Sequence, residues 1–229
     1  MASVQVLGAQ RMDFFSAVGW NGTVSLLWGA GVTLLLTIIA VIGGTLIGTV
    51  LGLIRGISGP VIALPVVFVT DALKSVPLII QLILANSAQA AFRLGMNPFM
   101  VSCAVLILYT AAYQSEIVAG GYREVPANLR RASRSLGLTF WQDVTYIVFP
   151  LATRLVFPAW IGLVLGVMKD TALVYSIGVI ELMRSGQIII TRIQEPIIIL
   201  TIVGVLYYLL SLPIAWAGGR VQQRWVRND

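Results

Sequence analysis

The chain has no histidine, a single cysteine and few charges, only 10% of its 229 residues being Asp, Glu, Lys or Arg. Each shortage removes a class of function. Without histidine, the commonest general base and metal ligand near neutral pH is missing. With Cys103 alone, and in an apolar run, no intrachain disulfide, CxxC pair or zinc set can form. Most hydrolase and oxidoreductase designs are thereby disfavoured. The shortage of charge says more. A soluble domain of this length needs a larger charged surface, whereas 58% of these residues are hydrophobic. The composition is that of a polytopic membrane protein. A net charge of +6 would suggest nucleic acid in a soluble chain. Arginine-rich loops give a membrane protein the same balance, so no nucleic-acid partner is expected. The opening residues, MASVQVLGAQRMDFF, lack a basic start followed by an apolar core, so no cleavable signal peptide is expected.

What is present is a series of long apolar runs, at residues 24–54, 61–92, 99–118, 144–168 and 197–217. A span needs about 20 residues, which predicts an all-α protein with five transmembrane helices. Residues 1–23 form a mixed outer segment in which Phe14, Phe15 and Trp20 suit an interface, residues 24–217 the membrane domain, and residues 218–229 a basic tail. In the first run, Gly44, Gly48, Gly52 and Gly56 recur every four residues, a ridge without side chains that invites close approach of another helix. A generally glycine-tolerant membrane helix is the plainer explanation. The second run contains Pro65 and Pro77 and is expected to be bent or broken. It also carries Asp71 and Lys74 on one helix face. Ionisable groups at membrane depth face a protein interior or a water-filled cavity. These two either line a pathway or neutralise each other near a membrane surface.

Between the third and fourth runs lies the one strongly basic stretch, Arg123 to Gly137, with Arg123, Arg130, Arg131 and Arg134. Pro126 suits a first helical residue and Gly137 the residue after the last turn. Leu129, Ala132, Ser133 and Leu136 fall at helical spacing on one side, with most arginines on the other. A short amphipathic helix outside the membrane, at about residues 124–137, is predicted. It is either an ordinary cytoplasmic loop or a docking helix for a cytoplasmic partner. Arg55, this segment and Arg220, Arg224 and Arg227 make one side richer in cations than the side holding Arg11, Arg93, Arg184 and Arg192. The richer side is assigned to the cytoplasm, placing the N-terminus outside and the C-terminus inside.

These residues resemble a known family, the permease subunits of bacterial ABC importers for polar amino acids (the histidine/glutamine type), along almost the whole chain. Lys74-Ser75-Val76-Pro77-Leu78-Ile79-Ile80-Gln81-Leu82 looks like the family's RGTPLLVQL, and Ala111-Ala112-Tyr113-Gln114-Ser115-Glu116-Ile117 like its AAYxxEI. Val125-Pro126, Ala132 and Leu136-Gly137 match its coupling loop. Lys169-Asp170-Thr171-Ala172-Leu173 looks like its KDTSL, followed by Glu181-Leu182. The resemblance implies a multi-pass subunit of the bacterial inner membrane whose central helix docks on a cytoplasmic ATP-binding subunit. It further implies a second permease lining the path and an extracytoplasmic amino-acid-binding protein delivering substrate. No cofactor is expected in this chain: it has no GxxxxGK[ST] loop, so ATP and magnesium belong to the partner ATPase. Docking is assigned to Arg123, Pro126, Leu129, Arg131, Ala132, Ser133, Leu136 and Gly137, and helix packing to Gly44, Gly48 and Gly52.

Some positions depart from the family pattern. Arg131 occupies the usual glutamate position of the coupling loop, Asn128-Leu129 the usual GQ, Ala119 an arginine, and Gly162 an asparagine. A second, non-identical permease with a more standard loop is the expectation that follows. For a zwitterionic substrate, Asp170 and Glu116 are candidate ammonium acceptors, Lys169 and Lys74 candidate carboxylate partners, and Gln81 and Thr171 hydrogen-bond donors, with Asp71 beside them. Alternatively, Lys169 and Asp170 form an ion pair or helix cap near the outer surface. The competing functions are a secondary transporter, disfavoured by an odd span count without a clear inverted repeat, and a non-translocating half of a heterodimeric permease.

Overall fold

The computed structural model describes the backbone from Ala2 to Arg227 and the side chains from Gly19 to Trp225; Phe14 and Phe15 therefore lie outside the described side chains. All regular structure among the described residues is helical. The first helix, α1 (Ala2–Ile57), is interrupted at Gly19, whose φ of 19° and ψ of −177° are not helical. Its membrane-length part is Gly19–Ile57.

The second apolar run is two helices, α2 (Pro60–Ser75) and α3 (Leu78–Ala91), bent by 99° at their junction. Pro77 supplies no N–H and pushes Val76 into extended backbone, at φ −91° and ψ 127°. Carbonyls freed by such a break need donors. Gln81 provides them, its Nε2 donating to Leu73 O at 2.7 Å and to Val76 O at 2.8 Å. Pro65 sits inside α2 without ending it. Among the described residues, four helices are long and apolar enough to span a membrane, and the bent pair makes up to five.

Helix α4 (Pro98–Glu124) starts at Asn97, whose side chain accepts from Met100 N at 2.8 Å, with Pro98 at the first position. The short α5 (Ala127–Ser135) follows. Next comes one continuous rod: α6 (Phe140–Asp143), a π-helical stretch Val144–Val148, and α7 (Phe149–Asp170). It begins earlier than residue 144 because Thr139 and Gln142 form a reciprocal capping box. Beyond Asp170 a 3₁₀ segment (Thr171–Ile177) ends at Gly178, whose φ of +92° suits a residue without Cβ. The mildly polar region after it folds into α8 (Leu182–Ile193), and α9 (Pro196–Arg227) carries the last span straight into the basic tail.

The bundle is built around α1 against α4. A Cβ on Gly48 would fall 2.6 Å from Ala111 O, and one on Gly52 2.7 Å from Ser115 O. Gly44 meets Thr110 and Ala111 in the same way, and Gly56 faces the ring of Tyr122. Main chain cannot move aside as a side-chain end can. Gly48→Val is therefore expected to cost about 1–3 kcal/mol through overpacking, read as a lowered melting temperature of the detergent-solubilised protein. Among the described residues, three apolar clusters divide the bundle by level. One, with Leu26, Leu182, Ile199 and Val203, joins α1, α8 and α9. A central one, with Leu36, Leu82, Leu106 and Val167, joins α1, α3, α4 and α7. A third, with Tyr122, Val125 and Val148, closes the end where α1 and α4 finish.

Candidate functional site

The basic helix α5 lies at that third end. Pro126 is its N-cap, with the helix proper starting at Ala127, and Gly137 follows the last turn at φ +80°. The grouping of Ser133 with Leu129, Ala132 and Leu136 needs correction. Ser133 is buried, while Leu129 is 41% and Leu136 81% exposed, and Ala132 is exposed as well. The reason is Asp143, 2% exposed in the opening turn of the following rod. Its Oδ1 accepts from Ser133 Oγ at 2.5 Å, and its Oδ2 lies 3.8 Å from Arg130 Nε. Arg130 also donates to the Tyr122 hydroxyl and sits 4.5 Å above that ring's centre. A buried carboxylate demands partners, and only the Ser133–Arg130 side of α5 offers them. Arg123, Arg131 and Arg134 are exposed.

A second cluster forms at the helix break. Lys74 Nζ lies 2.9 Å from Asp71 Oδ1 and 2.5 Å from Glu116 Oε2 on α4. Asp71, Lys74 and Glu116, drawn from two separate apolar runs, thus meet around one ammonium. Nearby, Arg55 donates to the hydroxyls of Thr70 and Ser115, each at 3.3 Å. Glu116 also opens on a cleft of about 220 Å³ between α4 and α7, lined further by Glu124, Leu155 and Ala159. Gln81 belongs to the same break as its brace, with its amide nitrogen already committed to two carbonyls.

The residues ending α7 are a third group. Lys169 is exposed, Asp170 half-buried, and Thr171 fully buried, its hydroxyl donating to Met168 O at 2.7 Å. Tyr109 lies close enough to interact electrostatically with Asp170, and its ring is 4.8 Å from that of Tyr113. Tyr109 and Glu116 are seven residues apart on α4, so the second and third groups are separated by about 10 Å along that helix. Among the described residues no hydrogen bond or ion pair ties down the Asp170 carboxylate. A half-buried acid with Tyr109 nearby suits a cation.

Glu181 is the opposite case. It is 0% exposed and caps α8, its carboxylate accepting from Met183 N and Arg184 N at 2.8 Å each. Tyr207 of α9 donates to it at 2.9 Å, and Thr33 of α1 stands at 3.5 Å. It joins α1, from the start of the chain, to the consecutive helices α8 and α9. Glu181→Leu strands those donors in the interior, and a loss of about 3 kcal/mol is expected, seen as poor recovery of folded protein. The acid was visible in the sequence only as part of a motif; Tyr207, Thr33 and Asp143 carried no local signal. A separate crevice of about 330 Å³, lined by Thr45, Gln114, Val148, Phe157 and Trp160, is almost entirely apolar and includes none of the candidate path residues. Its chemistry does not suit a zwitterion.

Residues 44–227 match the family described as binding-protein-dependent transport system inner membrane component. Over 215 residues the chain is 28% identical to the glutamine transport system permease protein GlnP of Escherichia coli strain K12, covering 93% of this chain and 98% of that one. It is 30% identical over 224 residues to the histidine/lysine/arginine/ornithine transport system permease protein HisM of Salmonella typhimurium strain LT2, covering 89% and 94%. Among solved structures it is similar to an amino acid ABC transporter crystallised with histidines, at a TM-score of 0.82 and 26% identity over 88% of this chain and 94% of that one. The inward-facing MetNI methionine ABC transporter shares the fold, at a TM-score of 0.80 and 21% identity over 90% and 98%. Because the match runs through the helix break, the anchored basic helix and the Asp170 turn alike, the chain belongs to the family of binding-protein-dependent transport system inner membrane components and is a multi-pass inner-membrane protein.

Proposed function

We propose that this chain is the transmembrane subunit of an ATP-driven importer of a polar amino acid. The observation that carries this reading is α5, a basic helix fastened to the end of an apolar bundle by Asp143 while Leu129, Ala132 and Leu136 stay uncovered. A helix rigidly joined to the spans is suited to pass a partner's movement into them. The names of the relatives, for glutamine and for histidine, lysine, arginine and ornithine, support a polar amino acid as cargo.

In this reading α5 faces the cytoplasm and meets an ATP-binding subunit that holds ATP and magnesium, and the C-terminal arginines lie on the same side. A binding protein delivers substrate at the opposite end. Asp170 receives the ammonium or a cationic side chain, with Lys169 nearby for a carboxylate. Asp71, Lys74 and Glu116 form a second charged station nearer α5. Thr171 and Gln81 hold the local backbone around these stations. A second permease, non-identical to this one, completes the path.

The test is uptake of radiolabelled glutamine and basic amino acids into vesicles carrying the co-expressed complex. Uptake that requires ATP with the ATP-binding subunit and a loaded binding protein supports the reading. Uptake by this chain alone, without ATP, would establish a secondary transporter instead.

A further inference from the structure

A seam between α4 and α7 divides this part of the bundle into two faces. A Cβ on Gly121 would run into the side chain of Val156, so the two helices touch there. On one side of the seam lies the small cleft that holds Glu116 and Glu124. On the other lies the apolar crevice of about 330 Å³, walled by Thr45 and Thr49 of α1, Val118 and Tyr122 of α4, and Val148 and Phe157 of the rod. None of Asp71, Lys74, Glu116 or Asp170 lines it. A second permease completing the path covers the Glu116 face and leaves the crevice to the membrane.

Shape and chemistry narrow the occupant. The crevice extends from Thr45 to Leu53 along α1 and from Gln114 to Tyr122 along α4, about 12 Å in the direction of the bundle axis. Two of the polar groups around it are already committed inside the chain. Trp160 Nε1 donates to Thr45 Oγ1 at 2.9 Å, and Thr153 Oγ1 donates to Phe149 O at 2.7 Å. Phe149 lines the crevice and is 60% exposed, so the slot opens outward. An elongated apolar slot takes a hydrocarbon chain in preference to a polar solute. Its rod wall includes both ends of the π-helical stretch, Val144 and Val148. Such stretches are rare and gather at functional sites.

Charge at one end supplies the rest of the ligand. Tyr122 lies at the α5 end of the crevice, and Arg130 stands 4.5 Å above the centre of its ring with 22% of the side chain exposed. The acid beside Arg130, Asp143, is 3.8 Å from its Nε, a long contact that leaves the guanidinium able to meet a phosphate. Arg123, Arg131 and Arg134 are exposed in the same segment. We propose that the crevice binds one acyl chain of an anionic phospholipid, with the lipid phosphate at Arg130. The proposal rests on the function above only for the membrane side that α5 faces and for the place of the second permease. The lipid touches the Tyr122–Arg130 pair that helps to fasten α5, so its binding steadies that anchor.

The experiment is native mass spectrometry of the delipidated full-length chain, in the complex it co-purifies with, titrated with dioleoyl phosphatidylglycerol or dioleoyl phosphatidylcholine in mild detergent. Phosphatidylglycerol is expected to be retained about fivefold better than phosphatidylcholine. Thr49→Trp fills the crevice and is expected to lower that retention about tenfold, whereas Thr49→Val keeps it. Val118→Phe fills the same space from the α4 wall, so a misfolded Thr49→Trp leaves a second variant to decide. Size-exclusion profile and melting temperature report folding. Arg130→Gln is expected to erase the preference between the two lipids, and Arg130→Lys to keep it. Equal retention of both lipids by the wild-type chain, or undiminished phosphatidylglycerol in a folded filling variant, overturns the proposal. Cross-linking of Phe149→Cys to a second permease, in a Cys103→Ser background, overturns it as well by showing that protein covers the crevice. Lipid retention is read on the chain itself, so the uptake test of the importer reading succeeds or fails independently of it.

Discussion

Asp143→Ala is expected to reduce ATP-driven uptake by more than about tenfold while leaving the apolar spans assembled. The variant removes the acceptor for Ser133 and the counterion of Arg130 together. A charge-assisted bond of this kind contributes about 2 kcal/mol, roughly a thirtyfold change in the population of anchored helix. The Arg130 contact is long and that side chain is 22% exposed, so most of the loss comes from the short Ser133 bond. Asp143→Asn keeps an acceptor for Ser133 and is expected to fall between alanine and wild type. Arg130→Met with Asp143→Leu removes both charges at once, and Ser133 still has Arg130's carbonyl position at 3.1 Å. Partial recovery of uptake relative to Asp143→Ala is therefore expected, because a stranded buried charge costs more than a missing pair. Uptake by reconstituted vesicles, beside ATP hydrolysis by the same complex, reads this directly. Hydrolysis that continues without uptake identifies a loose coupling helix. Wild-type uptake by Asp143→Ala would show that the anchor has no part in transmission.

The second large effect is expected from Asp170→Asn. The change keeps shape and removes charge at a site where no hydrogen bond or ion pair among the described residues depends on that charge. Folding is expected to be unaffected or slightly improved, since a half-buried carboxylate without a hydrogen bond or ion pair among the described residues carries an uncompensated desolvation cost. Uptake of a cationic or zwitterionic amino acid is expected to fall by about tenfold or more, the loss of one charge-assisted contact in a partly dry site. A melting curve and an uptake assay on the same preparation separate these outcomes. Unchanged uptake and unchanged stimulation of ATP hydrolysis would remove Asp170 from the path.

The parts of this fold that were readable from sequence are those set by local chemistry. Long apolar runs mark the spans. Pro77 marks the break because its missing N–H and its effect on Val76 act through neighbouring bonds. Arginine density and the Gly137 turn mark α5. The glycine spacing of α1 is likewise visible, but the identity of α4 as the helix filling that groove is a tertiary fact. The misplacement of Ser133 has the same origin. Wheel position groups it with the leucines, and only the fold brings in Asp143, ten residues on. The helix α8 escaped notice because Arg184 and Arg192 interrupt a run too short to span. Its apolar side is completed by Leu26 and Ala30 from the opposite end of the sequence.

The candidate site divides along the same line. Asp71 and Lys74 are neighbours in sequence, and their pairing could be expected from helical spacing. That Glu116 would share the same ammonium could not, since it arrives on another helix. Tyr109 gave no signal of its own: it looks like an ordinary residue of an apolar helix until α7 brings Asp170 near it. Glu181, by contrast, enters the sequence only through its motif, and the structure uses it to lock α1, α8 and α9 together.

The most direct test of the whole account is the ATP hydrolysis rate of the complex purified through this chain and reconstituted in lipid vesicles, with and without its binding protein loaded with amino acid. The account predicts hydrolysis that rises severalfold with the loaded binding protein and loses that rise in Asp143→Ala. A complex whose hydrolysis ignores the loaded binding protein, or a chain that moves amino acid with no ATP-binding subunit present, would contradict it.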